Sequence, residues 1–327
     1  MTAAGAVAED LPISWHSIAA FDRGSDGRWI GLTPESVHPI SNHSAVFRVQ
    51  LPGLSVIWKT ATLLEAKVVG HIGHELSGIL PLILTYPIPL PELGSDVVGL
   101  LMEDFPSKVS LDLADQLHAY GRACEKIASV HSHFEGPRSG FAKPKQLAPG
   151  LASAIPEIPL LLDLMASISG ITLEPSLIAE ITKIGRQFEH YHLCCASAGQ
   201  RTLIHGDFHP ANILYQAPAH VRIIDWAAAG TGPAEWDLVM CGEHQVSKYL
   251  ASYGFVPKGF FQRLQAAVIV RMFQFIHAAL GLAFGDSSQS FERFAGAIPF
   301  YARRLVDAAN STPFLGGDPV GRNNIKV

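Results

Sequence analysis

A short segment in the second half of the chain constrains its structure most. Residues 203–214 read LIHGDFHPANIL, and the apolar run of residues 222–224 ends at an aspartate. Short apolar runs separated by turn residues are typical of paired strands. Such strands would place Asp207, Asn212 and Asp225 at their ends, where three oxygen-bearing side chains can converge.

These three side chains suit one kind of chemistry. A carboxylate can orient a hydroxyl nucleophile and accept its proton, while Mg²⁺ prefers hard oxygen ligands such as carboxylates and carboxamides. A magnesium nucleotide and an oriented hydroxyl are the two components of phosphoryl transfer. The segment therefore predicts the catalytic half of a phosphoryl-transfer site.

The motifs are similar to those of a known family. Residues 205–207 (His-Gly-Asp) with Asn212, and residues 224–226 (Ile-Asp-Trp), resemble the catalytic loop and metal-binding turn of the aminoglycoside phosphotransferase and choline kinase family. The Asp-x-x-x-x-Asn spacing is also that of the protein-kinase catalytic loop. The resemblance implies that Asp207 is the catalytic base and that Asn212 and Asp225 hold the metal. The implied cofactors are ATP and Mg²⁺, with GTP as the alternative nucleotide.

The resemblance also implies a fold class. Members of this family are α+β proteins with a bilobal, protein-kinase-like fold. A small antiparallel-sheet lobe with one main helix precedes a larger, mostly helical lobe that carries the catalytic loop. On this chain we expect residues 1–105 to form the nucleotide-binding lobe, ending in the hinge, and residues 106–327 to form the catalytic and substrate-binding lobe.

Patterns near the N-terminus fit the smaller lobe. Residues 45–59 contain two strand-like runs around a Pro-Gly turn, which places Lys59 at the end of the second strand. The resemblance implies that this lysine reaches the α- and β-phosphates of ATP. Helical periodicity over residues 64–82 contains Glu75, the expected ion-pair partner of Lys59. The competing acid, Glu65, falls too near the strand end to lie in mid-helix.

Two further segments would contact the nucleotide. The polar turn at residues 41–44, with Ser44 at its end, would cover the phosphates with backbone amides, although it lacks the glycines of a protein-kinase loop. Residues 97–106 resemble a strand that runs into the hinge, where Glu103 and Phe105 would border the adenine edge. The chain contains no Walker-A pattern, which argues against a P-loop kinase.

Most of the remaining chain has helical patterns. The end of the first of these helices, near His131, resembles the family's helix end that packs beneath the catalytic loop. Asp237 lies in a Gly-Pro-x-x-x-Asp-Leu segment, whose aspartate braces that loop in the family, and we expect this segment to open a helix. The predicted helices cover residues 110–134, 151–168, 175–195, 258–284 and 290–309.

Composition excludes several classes of protein. Of 327 residues, 48% are hydrophobic and 16% are charged, which is typical of a globular chain. The net charge of −5 comes without a basic stripe, so we expect no nucleic-acid partner. No window reaches about 18 uncharged apolar residues and no signal peptide is recognisable, so we expect no membrane partner. Four cysteines without metal-ligand spacing favour reduced thiols, and we expect a cytoplasmic monomer or homodimer.

Other interpretations stay open from the sequence. A lone aspartate such as Asp207 is often a plain turn residue. His205, Asp207 and His209 alternate as zinc ligands can, which would suit a metallohydrolase but leaves Asn212, Lys59 and the Asp225 strand unexplained. A nucleotide-binding pseudokinase would act as a scaffold, yet the lysine, base, asparagine and metal aspartate are all present.

The expected acceptor is a hydroxylated small molecule. It would be an antibiotic, in which case the role is antibiotic resistance, or a sugar, nucleoside, amino alcohol or similar metabolite. Polycationic aminoglycosides call for an acidic cleft, whereas the acids of the larger lobe are sparse and offset by cations, which favours a neutral or less cationic acceptor. The acids are Glu235, Glu243, Asp286 and Glu292, and the cations are Lys258, Arg263, Arg271, Arg293, Arg303 and Arg304.

Overall fold

A computed structural model shows how these segments fold. The chain divides into two compact units: residues 1–126 with 210–229, and residues 127–209 with 230–327. The boundary predicted at residue 105 marks a hinge between two lobes, whereas these units are groups of residues packed against one another. The hinge therefore stays a prediction. The structure describes residues 22–23, 27–28, 36–39, 46–51, 53–84, 87–90, 93–107, 113–140, 142, 144–196, 201–217, 220–285 and 288–311.

Two sequence predictions fall outside these ranges. The phosphate-covering turn at residues 41–44, including Ser44, and the helix start at residue 110 lie in segments that the structure does not describe. The phosphate contact of Ser44 therefore stays a prediction.

Strands dominate the first unit. They are β1 (Asp22–Arg23), β2 (Gly27–Arg28), β3 (Ser36–Pro39), β4 (Val46–Leu51), β5 (Leu54–Thr62), β6 (Ile88–Pro89), β7 (Val97–Glu103), β9 (Ile213–Ala217) and β10 (His220–Ile223). Five of them form an antiparallel sheet in the order β3-β4-β5-β7-β6, while β1–β2 and β9–β10 form separate pairs. Branched and aromatic residues fill β4 and β5, because such side chains pack well on a pleated surface.

One helix, α1 (Leu63–Glu75), begins directly after β5. Thr62 caps it, since its Oγ1 accepts a hydrogen bond from the Glu65 N–H at 3.1 Å. The helix predicted over residues 64–82 therefore starts where expected but ends well before residue 82. Gly78 has a φ of +75°, a left-handed conformation that does not continue a helix.

The second unit is mostly helical, as predicted. Its strands β8 (Arg201–Ile204) and β11 (Gly230–Pro233) pair in antiparallel register. The long helix α8 runs through the core of this unit, where Met272, Phe273 and Ile276 are fully buried. Its helices are the end of α2 (Leu113–His133), of which residues 127–133 belong to this unit, and α3 (Leu151–Ala154), α4 (Ile158–Ser169), α5 (Pro175–Gly185), α6 (Phe188–Ala196), α7 (Glu243–Tyr253), α8 (Phe260–Gly285) and α9 (Ser288–Asn310).

Four details differ from the expected helices. The helix expected over residues 175–195 is two helices, α5 and α6. A 3₁₀ turn, Ile155–Glu157, separates α3 from α4, because the prolines of this stretch remove backbone donors. Residues 230–233 form β11 and only residues 234–238 form a single 3₁₀ turn, since glycine and proline are poor helix formers. Helix α7 was not predicted; it begins at Glu243.

Two stretches of this unit are long and apolar enough to cross a membrane, judged by length and composition alone. Leu151–Ile168 is 28% buried and Phe260–Gly281 is 67% buried. The first is interrupted by the 3₁₀ turn, and the second belongs to the core helix α8. Buried core helices meet the same criterion, so this finding is weak support for a membrane span.

The sheet of the first unit contains a close approach that can be tested. A Cβ atom at Gly99 would lie 2.1 Å from Cη2 of the buried Trp58 ring. We expect Gly99→Ala to lower the free energy of unfolding by about 2 kcal/mol, because the ring cannot move without disturbing its core. The control is Gly73→Ala in α1, where no atom lies within 4 Å and alanine should stabilise by about 0.5 kcal/mol. Urea unfolding of both variants measures the difference, and equal stabilities would contradict the packing argument.

Candidate active site

In the first unit, Lys59 lies between two carboxylates. Its Nζ is 2.6 Å from Oε1 of Glu65 and 2.8 Å from Oδ1 of Asp225. The lysine side chain is 13% exposed and that of Glu65 is 4% exposed, whereas half of the Asp225 side chain is accessible. Lys59 was predicted at the end of its strand, but β5 continues to Thr62. The lysine is held at the centre of a largely buried ion-pair cluster.

The prediction that Glu75 is the ion-pair partner of Lys59 was wrong. Glu75 is the last residue of α1, exposed and 3.5 Å from the His74 ring nitrogen, whereas Glu65 sits in the first helical turn beside Lys59. Because α1 rises about 1.5 Å per residue, ten residues move a side chain about 15 Å along the helix. Thr62-x-x-Glu65 has the pattern of a helix start, and this signal identifies the correct acid.

The pKa values of Lys59 and Glu65 are both raised, but for different reasons. Burial alone would lower the pKa of Lys59, but the charge of Glu65 and hydrogen bonds with Asp225 and Glu65 outweigh it, so this pKa is raised. Burial raises the pKa of Glu65, although Lys59 opposes the shift. The lysine is therefore a permanent cation at neutral pH.

The β9–β10 hairpin brings Asn212 and Asp225 together. Ile213 pairs with Ile223, and the N–H of Ile224 donates a hydrogen bond of 3.0 Å to the Asn212 carbonyl. Asp225 follows with a φ of +63°, a left-handed conformation that aspartate and asparagine tolerate better than most residues. These two residues thus lie next to the ends of paired strands, as predicted, while the metal-binding role expected of them stays a prediction.

These residues border a cavity of about 520 Å³ within the first unit. Glu103 and Phe105, expected near the adenine, line the same cavity at the end of β7. The intervening Asp104 was not predicted: its carboxylate accepts hydrogen bonds from Arg48 at 2.7 Å and from Ser55 at 2.6 Å. The other lining residues include Lys59, Glu65, Asn212, Leu214, Ile223, Asp225 and Trp226.

In the second unit, a buried carboxylate shapes the loop after β8. The Asp237 side chain accepts hydrogen bonds from the N–H groups of His205 at 2.6 Å and Gly206 at 2.8 Å, and it lies 3.1 Å from Nε2 of His131. Burial alone would raise the pKa of Asp237, but the His131 ring and the hydrogen bond from the Gly206 N–H outweigh it, so this pKa is lowered. The contacts expected for Asp237 and His131 from the family resemblance are present.

Asp207 follows this loop and is half-buried. Its Oδ1 accepts a hydrogen bond from Nη2 of Arg271 at 2.9 Å, and its Oδ2 lies 3.5 Å from Nε2 of His209. A hydrogen bond from His209 and the charges of His209, Arg271 and His205 lower the pKa of Asp207 against the opposing effect of burial. Arg271, which the sequence analysis counted only among the cations of the larger lobe, is 10% exposed and holds this carboxylate.

The zinc interpretation of His205, Asp207 and His209 finds no geometric support. Within the ranges that the structure describes, no three side chains of His, Cys, Asp or Glu are grouped as metal ligands. The His205 ring is buried, and its Nδ1 accepts the backbone N–H of Asp207 at 3.3 Å. This histidine stabilises the loop.

The corrected ion pair leads to a stability prediction. We expect Glu65→Gln to lower the free energy of unfolding by about 2 kcal/mol, because it leaves a buried lysine with one carboxylate fewer. Glu75→Gln on the same helix should change it by less than about 0.5 kcal/mol, since Glu75 is exposed. Urea unfolding at pH 7 compares them, and a larger loss in the Glu75 variant would contradict the assignment.

A second prediction concerns acid stability. Because the folded state lowers the pKa of Asp237, its contribution to stability is present above the unfolded pKa, about 3.9, and is lost as pH falls through the lower folded value. Asp237→Asn should lower stability by about 3 kcal/mol at pH 7, with a smaller loss below pH of about 3. Thermal unfolding between these pH values measures the difference, with the exposed Asp163→Asn as control. A constant difference at all pH values would contradict it.

Comparison with known proteins identifies the family. The sequence matches the profile of the phosphotransferase enzyme family over residues 61–274, a range that includes Glu65, Asp207, Asn212 and Asp225. None of the curated proteins compared with the chain matches it.

Several solved structures share the fold. The microcompartment-associated aminopropanol kinase is 15% identical, with a TM-score of 0.60 over 87% of this chain and 93% of that chain. The macrolide 2′-phosphotransferase MphH from Brachybacterium faecium is 14% identical, with a TM-score of 0.51 over 82% and 93%. The ADP-bound aminoglycoside phosphotransferase APH(2″)-Ib is 10% identical, with a TM-score of 0.51 over 84% and 95%. The α+β, protein-kinase-like fold predicted from the motifs is confirmed, and the chain belongs to the phosphotransferase enzyme family.

Proposed function

We propose that this phosphotransferase is an ATP- and Mg²⁺-dependent kinase that phosphorylates a hydroxyl group of a small molecule. The observation that supports it most is the Lys59–Glu65–Asp225 cluster at the edge of a 520 Å³ cavity. A fixed cation beside a half-exposed carboxylate suits a triphosphate with its metal. Kinases of this fold use a lysine and an acid in this way.

The donor set of the hairpin fits Mg²⁺. Asp225 offers a carboxylate that is half exposed, and Asn212 offers a carboxamide whose backbone is tied to the same strand pair. Two protein ligands suffice, because Mg²⁺ usually keeps several waters and binds phosphate oxygens as well. When bound, this ion would neutralise charge on the phosphates. Lys59 would orient the α- and β-phosphates, and Glu103 and Phe105 would border the base.

Asp207 is the proposed catalytic base. Its lowered pKa keeps it ionised at neutral pH, so that it can accept a hydrogen bond from the acceptor hydroxyl. As the hydroxyl oxygen bonds to the γ-phosphorus, the bond to the ADP oxygen breaks and the hydroxyl proton passes to Asp207. The weak basicity of this carboxylate suits a loose transition state, in which orientation matters more than proton abstraction.

The surroundings of Asp207 argue against a polycationic acceptor. Arg271 contacts this carboxylate. Lys145 is a second cation nearby: burial lowers its pKa most, and the charge of Arg271 lowers it further. Asp237, the other acid nearby, is buried and used by backbone donors. We therefore propose a neutral or less cationic hydroxylated acceptor, such as a sugar-bearing antibiotic, a nucleoside, an amino alcohol or another metabolite. Resistance would be its role only if the acceptor is an antibiotic.

The location proposed for this enzyme is the cytoplasm, where ATP is available. The four cysteines, Cys124, Cys194, Cys195 and Cys241, are free thiols, which fits a reducing compartment.

ADP release tests the function. A panel of hydroxylated antibiotics, sugars, nucleosides and amino alcohols is supplied with ATP or GTP and Mg²⁺, and acceptor-dependent ADP is measured. Asp207→Asn should lower kcat by about 1,000-fold and leave the nucleotide-induced rise in Tm intact, since it removes only the base. Asp163→Asn, an exposed aspartate of the same unit, should keep both.

The alternatives give different results. A pseudokinase would show the nucleotide-induced rise in Tm without acceptor-dependent ADP release. Retained turnover in the Asp207→Asn variant would contradict the assigned base.

A further inference from the structure

Helix α8 supplies a cation to the carboxylate of Asp207. Nη2 of Arg271 donates a hydrogen bond of 2.9 Å to Oδ1 of Asp207 and another of 3.2 Å to the carbonyl of Gly206. One nitrogen thus fixes the side chain and the backbone of the same loop. These contacts join residues more than sixty positions apart in sequence.

The guanidinium of Arg271 is itself held from several sides. Its Nη1 donates to Oε1 of Gln274 at 2.7 Å, and its Cζ lies 4.6 Å from the Phe275 ring centroid and 5.3 Å from that of Trp236. Its neighbours along α8, including Phe273, are fully buried core residues. A cation with a fixed plane on a core helix has little freedom to follow a moving carboxylate, so the carboxylate must conform to it.

We propose that Arg271 is a positioning residue for phosphoryl transfer: it fixes Oδ1 of Asp207 so that Oδ2 is the oxygen that accepts the proton of the acceptor hydroxyl. This inference rests on the proposed role of Asp207 as the base. The two oxygens differ in the structure, because Oδ1 accepts a hydrogen bond of 2.9 Å from Arg271 whereas Oδ2 faces Nε2 of His209 at 3.5 Å.

The chemistry explains why a fixed carboxylate matters. A carboxylate that rotates freely presents its oxygens to the acceptor in many directions, and a misplacement of about 1 Å can cost about 100-fold in rate. When one oxygen of the carboxylate is held by a hydrogen bond, the group cannot rotate, and the other oxygen points in a single direction. Within the part of the chain that the structure describes, the other charged and titratable groups that act on Asp207 or Arg271 include His205, His209, Lys145, Asp237 and Tyr301.

A buried arginine can also be merely structural, and α8 provides a matched control. Arg263, on the same helix, forms a buried ion pair with Glu235 at 2.7 Å and is 11% exposed, against 10% for Arg271. Arg263→Gln removes a comparable ion pair without touching Asp207. We expect it to lower Tm and to leave kcat within about twofold of the wild type.

The experiment uses ADP release by the full chain with the best acceptor of the panel, or with water as acceptor. Arg271→Gln should lower kcat about 100-fold without changing KM for ATP, because first-unit residues line the nucleotide cavity. Added to Asp207→Asn, it should cause no further loss, since it acts through that carboxylate. Arg271→Lys keeps the charge but not the planar fork, and it should lose about 10-fold.

Chemical rescue separates positioning from structure. Low, non-denaturing concentrations of guanidinium chloride should restore part of the kcat of Arg271→Ala, while equal concentrations of sodium chloride should not. Neither salt should raise the turnover of Asp207→Asn or of Arg263→Gln.

Each outcome decides between the two proposals. If Asp207→Asn abolishes turnover but Arg271→Gln keeps kcat within about twofold of the wild type, the positioning role is overturned and the kinase function stands. If circular dichroism shows that Arg271→Gln does not fold, a folded Arg271→Lys variant with wild-type kcat would overturn it instead. A wild-type chain that releases no ADP with any acceptor or with water would overturn both.

Discussion

An ionised carboxylate without solvent contact organises the second unit. Asp237 is fully buried, and the N–H groups of His205 and Gly206 together with the His131 ring replace its lost hydration. A buried charge is tolerated only where hydrogen bonds compensate it. The loop that leads to Asp207 therefore has its shape because it solvates an anion, and Gly206 allows that shape with a φ of +82°.

The first unit uses charge in a different way. Its cluster contains two carboxylates and one lysine, so that it carries an excess negative charge when Glu65 and Asp225 are both ionised. Under the proposed function, such a site would attract a metal–phosphate complex better than a bare phosphate, because the metal would supply the missing positive charge. The half-exposed side of Asp225 is where that charge is least compensated.

Local patterns were sufficient for part of this description. The strand–turn–strand pattern located Lys59, and the paired apolar runs located Asn212 and Asp225, because each depends on neighbours in sequence. The sequence favours Glu75 because Glu65 lies too near the strand end for a mid-helix position, but the first turn of α1 already brings Glu65 to Lys59. Contacts between distant segments leave no local pattern, so the hydrogen bond from Arg271 to Asp207 could be identified only from the structure.

The left-handed backbone at Asp225 has a consequence for substitution. Glutamate would keep the charge, but its longer side chain lacks the local hydrogen bonding that lets aspartate and asparagine adopt a φ of +63°. Glycine would relieve the backbone and remove the oxygens altogether. If Asp225 holds the metal as proposed, a steric demand and a chemical demand both favour aspartate, and few substitutions at this position would be neutral.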